Sequence, residues 1–436
     1  MPPFASTVRP ALVDPLAITP GLVDGRRVRR LSILLFVLCV AACFLGDSSA
    51  SIARAGSDQT SAKAKTHWTY RAMATRLRKQ SRSARATRKT RTRRVKHAKA
   101  TMTSTSSKLH FGIYPWAGAG TVNPADPQVP DDPALALAAV KALKGAHTLT
   151  VHLYGQYTGT DSSEADTLLS DAKWWSDNGL RVEMVLRYRP ARSELAAGYV
   201  PWVQSIATRL AALPGLAALQ IGNEPNNTTS AAAGDGAYPG AINAIAHGVP
   251  TARKALVAAG RSDVKVGFNW AAGNSPCTTE PMWSQLKAAG GSAFTSSVGW
   301  VGIDVYPGTW SAPSQTTFPT ASLVNATITD SLRCLRTRHM VTAGLPTSVS
   351  ITVAETGYPT DADRSEATQA AVLQQTIASV ESVRAKYGVT DLRWFSLRDA
   401  NTASGQLENG YGLLHDDYSP KPAFAAYQEI IAAEGA

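Results

Sequence analysis

Two apolar runs in this sequence close on a carboxylate. One ends Gln220-Ile221-Gly222-Asn223-Glu224-Pro225, where Pro225 stops any strand ladder. The other ends Thr352-Val353-Ala354-Glu355-Thr356-Gly357-Tyr358-Pro359, again a glutamate followed by turn residues. Two carboxyl groups facing one another across a cleft can divide the work of breaking an acetal bond. A protonated one delivers its proton to the leaving oxygen, and an ionised one attacks the anomeric carbon or activates water. Either glutamate alone would read as a rim salt bridge; the recurrence of the pattern is what points to catalysis. Gly222, two residues before Glu224, is expected to leave space beneath it.

Aromatic side chains accompany these ends. Tyr114, Trp116, Trp270, Trp310 and Trp394 all fall near the ends of apolar runs, where they could stack on the C–H faces of sugar rings. In Leu392-Arg393-Trp394-Phe395-Ser396-Leu397 both Trp394 and Phe395 are candidates for a subsite floor, but alternation lets only one of them point inward. No Cys/His spacing suits a zinc site. The first strand candidate leads into Phe111-Gly112-Ile113-Tyr114-Pro115-Trp116, which is not a phosphate-cradling glycine loop. Neither a metal nor an organic cofactor is expected.

Positioning such groups is the task of the surrounding elements. From residue 109 onward, short β-rich apolar runs alternate with longer Ala/Leu-rich amphipathic stretches, the pattern of repeated βα units. The predicted strands are 109–114, 148–154, 180–188, 216–223, 264–270, 298–306, 349–355 and 391–397. The predicted helices are 132–144, 164–177, 193–213, 237–259, 281–289, 321–339, 364–386 and 420–433. Eight pairs imply an α/β fold, a closed (β/α)8 barrel (TIM barrel), with active groups at the C-terminal strand ends where both glutamates lie. A doubly wound open sheet is the rival architecture.

The pairing of Asn-Glu on the fourth strand with Glu on the seventh resembles glycoside hydrolase clan A, the retaining (β/α)8-barrel glycosidases, over residues 109–434. The resemblance implies Glu224 as acid/base, Glu355 as nucleophile and Asn223 as the ligand of a sugar 2-hydroxyl. Tyr306, in Gly302-Ile303-Asp304-Val305-Tyr306-Pro307, matches a tyrosine that commonly hydrogen-bonds the nucleophile. Many members carry an arginine near the end of the second strand. Here that place offers His152 and Tyr154, and Arg187, closing the third strand, is a substitute cation; each reads equally well as packing. The stretch Val353–Thr360 looks like the nucleophile motif of the family 17 β-1,3-glucanases, differing at Thr352 and Tyr358, and Pro225 stands where that family has Val. The expected activity is O-glycosyl hydrolysis of a β-linked oligo- or polysaccharide by double displacement. The alternative is a catalytically weak carbohydrate-binding protein of the cell envelope on the same scaffold.

Ahead of the barrel lies a different kind of chain. The sequence carries 44 Lys and Arg against 32 Asp and Glu. Residues 1–108 hold 22 of the bases and 4 of the acids (+18), leaving 22 and 28 (−6) for residues 109–436. The basic excess therefore says little about the barrel's substrate, and no nucleic-acid partner is expected. The apolar segment 31–45 follows Arg26, Arg27, Arg29 and Arg30 and has the length of a signal h-region, within a leader of residues 1–55. Cleavage after Ala53-Arg54-Ala55, lipidation at Cys43 and retention as an anchor all stay open. Residues 56–108 form a basic low-complexity linker, too poor in large apolar groups to fold alone. Its 63–108 portion is suited to an anionic envelope polymer or membrane surface. The chain is expected to be secreted or held at the outer face of a bacterial membrane or cell wall, as a monomer. Cys277 and Cys334, the cysteines outside the leader, are candidates for one disulfide.

Overall fold

The computed structural model describes residues 108–117, 127–159, 163–310 and 319–436. The leader and the basic linker up to residue 107, with the expectations attached to them, lie outside the described residues. No helix among the described residues is long and apolar enough to cross a membrane.

Eight parallel strands close on themselves: β1 (His110–Ile113), β2 (Thr150–Tyr157), β3 (Arg181–Tyr188), β4 (Leu216–Ile221), β5 (Lys265–Ala271), β6 (Trp300–Asp304), β7 (Ser350–Thr356) and β8 (Val389–Trp394). Closure is made by β1 against β8, with Phe111 opposite Leu392 and Ile113 opposite Trp394. Each strand is followed by a helix: α1 (Pro133–Lys144), α2 (Ser163–Asp177), α3 (Tyr199–Leu210), α4 (Ala241–Ala258), α5 (Pro281–Ser297), α6 (Ala321–Cys334), α7 (Glu366–Tyr387) and α8 (Pro422–Glu434). The open-sheet rival is excluded.

The helices start where their sequences dictate. Asp132 accepts from the N–H groups of Ala134 and Leu135 ahead of Pro133; Thr320 caps α6 and Ser365 caps α7. Two helices differ from the pattern reading. The 193–213 stretch opens as a 3-10 turn (Ser193–Gly198) before α3. Helix α5 runs past 289, but Gly291 has φ 55°, so it is two helical pieces across a kink.

Two layers of side chains hold the barrel. Leu219, Ile221, Phe268, Val301, Ile303, Ile351, Val353 and Leu392 are buried in one continuous core between strands and helices. The interior is more polar: Arg393, Glu183 and His152 are all buried. Gly112 makes room there, since a Cβ on it would lie 2.4 Å from the Arg393 side chain and 2.5 Å from the Thr150 carbonyl. Cys277, in the loop after β5, is disulfide-bonded to Cys334 at the end of α6, with Cα atoms 5.1 Å apart.

Candidate active site

The two glutamates are brought together. Carboxylate oxygens of Glu224, Glu355 and Asp304 all lie within 4.8 Å of one another at the C-terminal mouth of the barrel. Backbone irregularity puts each of them there. Ile303 is paired with Val353, but a register shift then pairs Asp304 with Glu355 instead of with Ala354. On β4 the turn is made just past the strand, by positive φ at Gly222 (74°) and at Glu224 itself (45°). A non-glycine residue in that region costs about 1–3 kcal/mol and persists only where its surroundings impose it. Gly222 thus serves a different purpose from the one expected. Its Cβ would lie 2.7 Å from Ile245 on α4, so the left-handed turn and the closeness of the helix require glycine, not space beneath Glu224.

The turn is imposed by a lattice of amides. Asn269 on β5 accepts from the Glu224 N–H (2.8 Å) and donates to Asn223 Oδ1 (2.8 Å) and to Asp304 Oδ2. Asn226 donates to the Ala271 carbonyl and accepts from its N–H, zipping the loop onto β5. Asp235 accepts from the backbone N–H groups of Tyr188 and Asn223 and from Arg187 Nε (3.0 Å). Burial pushes the Asp235 carboxyl up to about 6, against the pull of Arg187 and those amides.

Glu224 is half-buried, and its Oε2 accepts from Asn227 Nδ2 at 2.9 Å. Burial first and the charge of Glu355 second raise its carboxyl from 4.5 to about 7. Glu355 is buried, and both of its oxygens are held by hydroxyls: Tyr154 donates to Oε1 and Tyr306 donates to Oε2 (2.8 Å). Burial and the Glu355 carboxylate push both tyrosines well above the usual phenol range, so they remain donors. Burial, then Glu355 and Glu224, likewise push Asp304 well above the carboxylate range, and its Oδ1 is buried without a hydrogen-bond partner. The cluster thus holds one carboxyl group clamped by two donors, one poised acid and one neutral acid. Three carboxylates at this spacing are also the donor type a hard cation takes, but both Glu355 oxygens and one oxygen each of Glu224 and Asp304 already accept protein hydrogen bonds.

The other expected site residues separate into groups. Tyr154 and Tyr306 contact Glu355 directly. His152 lies one layer deeper, with Nδ1 2.7 Å from Glu183 Oε1 and Nε2 3.0 Å from the Tyr154 hydroxyl. Phe395 is the inward member of its pair, stacked on Tyr114 (5.2 Å between ring centroids) and edge-on to Tyr306 and Tyr411. Trp394 points the other way, fully buried in the strand–helix core. Trp270 is fully buried too, packed against Trp283 and His339 with Nε1 donating to Glu280, so it is no sugar platform. Trp116 donates to Asp171 and packs on Trp174 and Trp175 along α2. Arg187 is not a cation offered to a substrate: besides Asp235 it donates to the carbonyls of Ala232 and Ala233, clamping the loop after β4. Asn223 abuts the pair, but its Oδ1 accepts from Gln220 and Asn269 while its Nδ2 donates to the Ala233 carbonyl, leaving one amide hydrogen for a substrate hydroxyl.

Sequence reading missed Asn269, Asp304, Asn227 and Asp235. The signal for two of them was present: a polar residue at inward parity near the end of an apolar strand, as in Gly267-Phe268-Asn269-Trp270 and Gly302-Ile303-Asp304. Beside the pair opens a cavity of about 1380 Å³. Asn226, Asn227, Asn243, Asn274 and Gln285 line it, and Trp310, 65% exposed, forms part of its wall 6.5 Å from the Tyr306 ring. Asn227 connects this cavity to Glu224.

No family model matches the sequence, and no curated protein is significantly similar to it. Among solved structures, the fold is similar to a GH5_18 protein from Bifidobacterium longum subsp. infantis (14% identity, 75% of this chain and 79% of that one, TM-score 0.52). It is similar to a variant GH5_18 protein from Bifidobacterium longum subsp. longum in complex with Manb1-4GlcNAc (11% identity, 74% and 78%, TM-score 0.52). It is also similar to one from Streptomyces cattleya in complex with the same disaccharide (16% identity, 68% and 74%, TM-score 0.50). At these identities the likeness is one of fold, the (β/α)8 barrel.

Proposed function

We propose that this chain is a retaining glycoside hydrolase of the clan A type, acting on a β-linked glycan through Glu355 as nucleophile and Glu224 as acid/base. The observation that carries the reading is the carboxylate pair, with oxygens within 4.8 Å, the Glu224 carboxyl raised to about 7 and Glu355 clamped by two hydroxyl donors. Retaining enzymes hold their carboxyl groups about 5–5.5 Å apart, whereas inverting ones leave room for a water at about 6.5–9.5 Å.

The electrostatics support the order of steps. With Glu355 ionised, its charge helps keep the proton on Glu224, which is then ready for the leaving oxygen. Attack by Glu355 on the anomeric carbon forms an ester and removes that charge. Glu224, having given up its proton, is stabilised as a carboxylate and can take one from the incoming water. The same pair thus runs both half-reactions without an added cofactor.

The cavity adjoins the acid/base side, where a leaving group departs. Its amide-rich lining and exposed Trp310 suit neutral sugar rings, and its volume exceeds the ~300–1,000 Å³ typical of a site for one drug-sized ligand. A polymeric or oligomeric substrate fits this better than a small glycoside. The strand-seven motif makes β-1,3-glucan the first substrate to try. The basic 63–108 segment would then hold an exported enzyme at an anionic envelope polymer or membrane surface.

The test is product analysis on β-glucans, galactans, mannans and xylans. Glu355→Ala should abolish turnover, and azide should restore part of it on an activated substrate, giving a product of inverted configuration. Undiminished activity in Glu355→Ala would refute the assignment.

A further inference from the structure

Glu224, Pro225, Asn226 and Asn227 form a β-turn. The Asn227 N–H donates to the Glu224 carbonyl at 2.9 Å, and Pro225 stands at the position whose fixed φ favours such a turn. The turn carries its fourth side chain back to its first: Asn227 Nδ2 donates to Glu224 Oε2 at 2.9 Å. Among the described residues this is the one hydrogen bond on the Glu224 carboxyl, and Oε1 accepts from none of them. Thr229 settles which end of the amide faces the acid. Its N–H, which can only donate, meets Asn227 Oδ1 at 3.4 Å, and its hydroxyl lies 3.1 Å from the same atom. Oδ1 is therefore the acceptor end, and Nδ2 is turned to the carboxyl. The loop after β4 packs tightly on the same residue: a Cβ on Gly234 would lie 2.4 Å from the Asn227 carbonyl oxygen and 2.5 Å from its Cβ. Arg187 holds that loop through the carbonyls of Ala232 and Ala233.

We propose that Asn227 is a positioning residue that fixes the orientation of the acid/base carboxyl, so that Oε1 and not Oε2 exchanges the proton with the substrate. An oxygen that accepts an amide N–H is the carbonyl oxygen of the protonated acid, which leaves the acidic hydrogen on Oε1. In the first half-reaction that hydrogen passes to the glycosidic oxygen as its bond to the anomeric carbon breaks and Glu355 bonds to the same carbon. In the second, a water oxygen replaces Glu355 on that carbon and gives a hydrogen back to Oε1. Between the two, the Asn227 N–H stabilises the charge on Oε2. Asn227 also lines the cavity, so this donor stands on the side from which a leaving group departs. The inference rests on the glycosidase reading, which makes Glu224 the acid/base. Burial and Glu355 raise the Glu224 carboxyl to about 7 against the pull of the Asn227 bond. The charged and titratable groups facing it are Glu355 on β7, Asp304 on β6, Arg187 on β3, Asp235 in the loop after β4 and Tyr411 in the loop after β8.

The test compares Asn227→Ala with Asn227→Asp, which keeps the shape and replaces the donor by a carboxylate. In the ¹³C-glutamate-labelled full chain, the carboxyl titrating near 7, identified by its loss in Glu224→Gln, should titrate about one pH unit higher in Asn227→Ala, the scale of one hydrogen bond to a charged group. In Asn227→Asp it should move further up. A swivelling acid forfeits part of general acid catalysis, so kcat/KM for an oligosaccharide should fall roughly 10- to 100-fold in Asn227→Ala. For a dinitrophenyl glycoside, whose leaving group needs no proton, it should change little. A midpoint that stays in place overturns the proposal. So do equal losses on the two substrates, the outcome of a purely structural role. A shifted midpoint with no turnover of any substrate by the unsubstituted protein would instead refute the glycosidase reading, and the acid/base role of Glu224 with it.

Discussion

Replacing Glu355 by Gln should lower the titration midpoint of Glu224. The amide keeps the shape of the carboxylate and still offers an oxygen to a tyrosine hydroxyl, so charge is what changes. At a separation of up to 4.8 Å, two unit charges interact by about 1 kcal/mol at the permittivity of water and by about 3.5 kcal/mol at an effective value of about 20. At about 1.36 kcal/mol per unit, those limits correspond to roughly 0.6 and 2.5 pH units. The whole rise of Glu224 runs from 4.5 to about 7, and burial contributes more to it than Glu355 does. The charge therefore accounts for the smaller share, about one unit. With ¹³C-labelled glutamate, a side-chain carboxyl titrating near 7 in the unsubstituted protein should titrate near 6 in Glu355→Gln. A midpoint that stays in place or rises would refute the coupling, and with it the argument that one residue serves as acid in the first half-reaction and base in the second.

Three other outcomes follow from the same geometry. Because the rate needs Glu224 protonated and its pKa is raised to about 7, kcat/KM should fall as pH rises through 7; Glu224→Ala should lose that limb on an activated aryl glycoside, which needs no proton to depart. Trp310→Ala removes an exposed ring from the cavity wall; stacking worth about 0.5–1.5 kcal/mol predicts a roughly 2- to 10-fold rise in KM for oligosaccharides and little change for aryl monosaccharides. Breaking the Cys277–Cys334 bond reopens a loop with a sequence separation of 57; chain entropy predicts a loss of up to about 4 kcal/mol, read as a lower urea midpoint in Cys277→Ser with unchanged slope.

The order of the elements was legible because a parallel barrel strand is apolar on its helix-facing side and short, while each helix carries a longer repeat. All eight strands overlap their expected positions. Where the reading slipped, a local exception had overridden periodicity: the 3-10 turn at Ser193–Gly198, and the kink at Gly291 that let α5 continue past two glycines. Alternation also posed a question it could not answer. Either Trp394 or Phe395 had to face inward, and the larger ring went to the strand–helix core, where its full burial removes more apolar area from water.

The site was legible in its two ends and not in what joins them. A glutamate at a strand terminus can be seen in a sequence, because strand ends recur and carboxylates are few. That Glu355 stands beside Asp304 depends on a one-residue register shift, which has no sequence marker. The buried polar residues posed the harder problem. His152, Glu183, Asn269 and Arg393 come from β2, β3, β5 and β8, and each taken singly reads as an unexplained polar residue in an apolar strand. Their meaning lies in complementarity: a buried donor is tolerable only against a buried acceptor, so each is intelligible only once its partner on another strand is placed. Arg187 shows the converse. Its charge and its place at the end of β3 suited a substrate contact, yet Asp235 and two carbonyls from the loop after β4 had already claimed it, and that claim holds Glu224 in its left-handed turn.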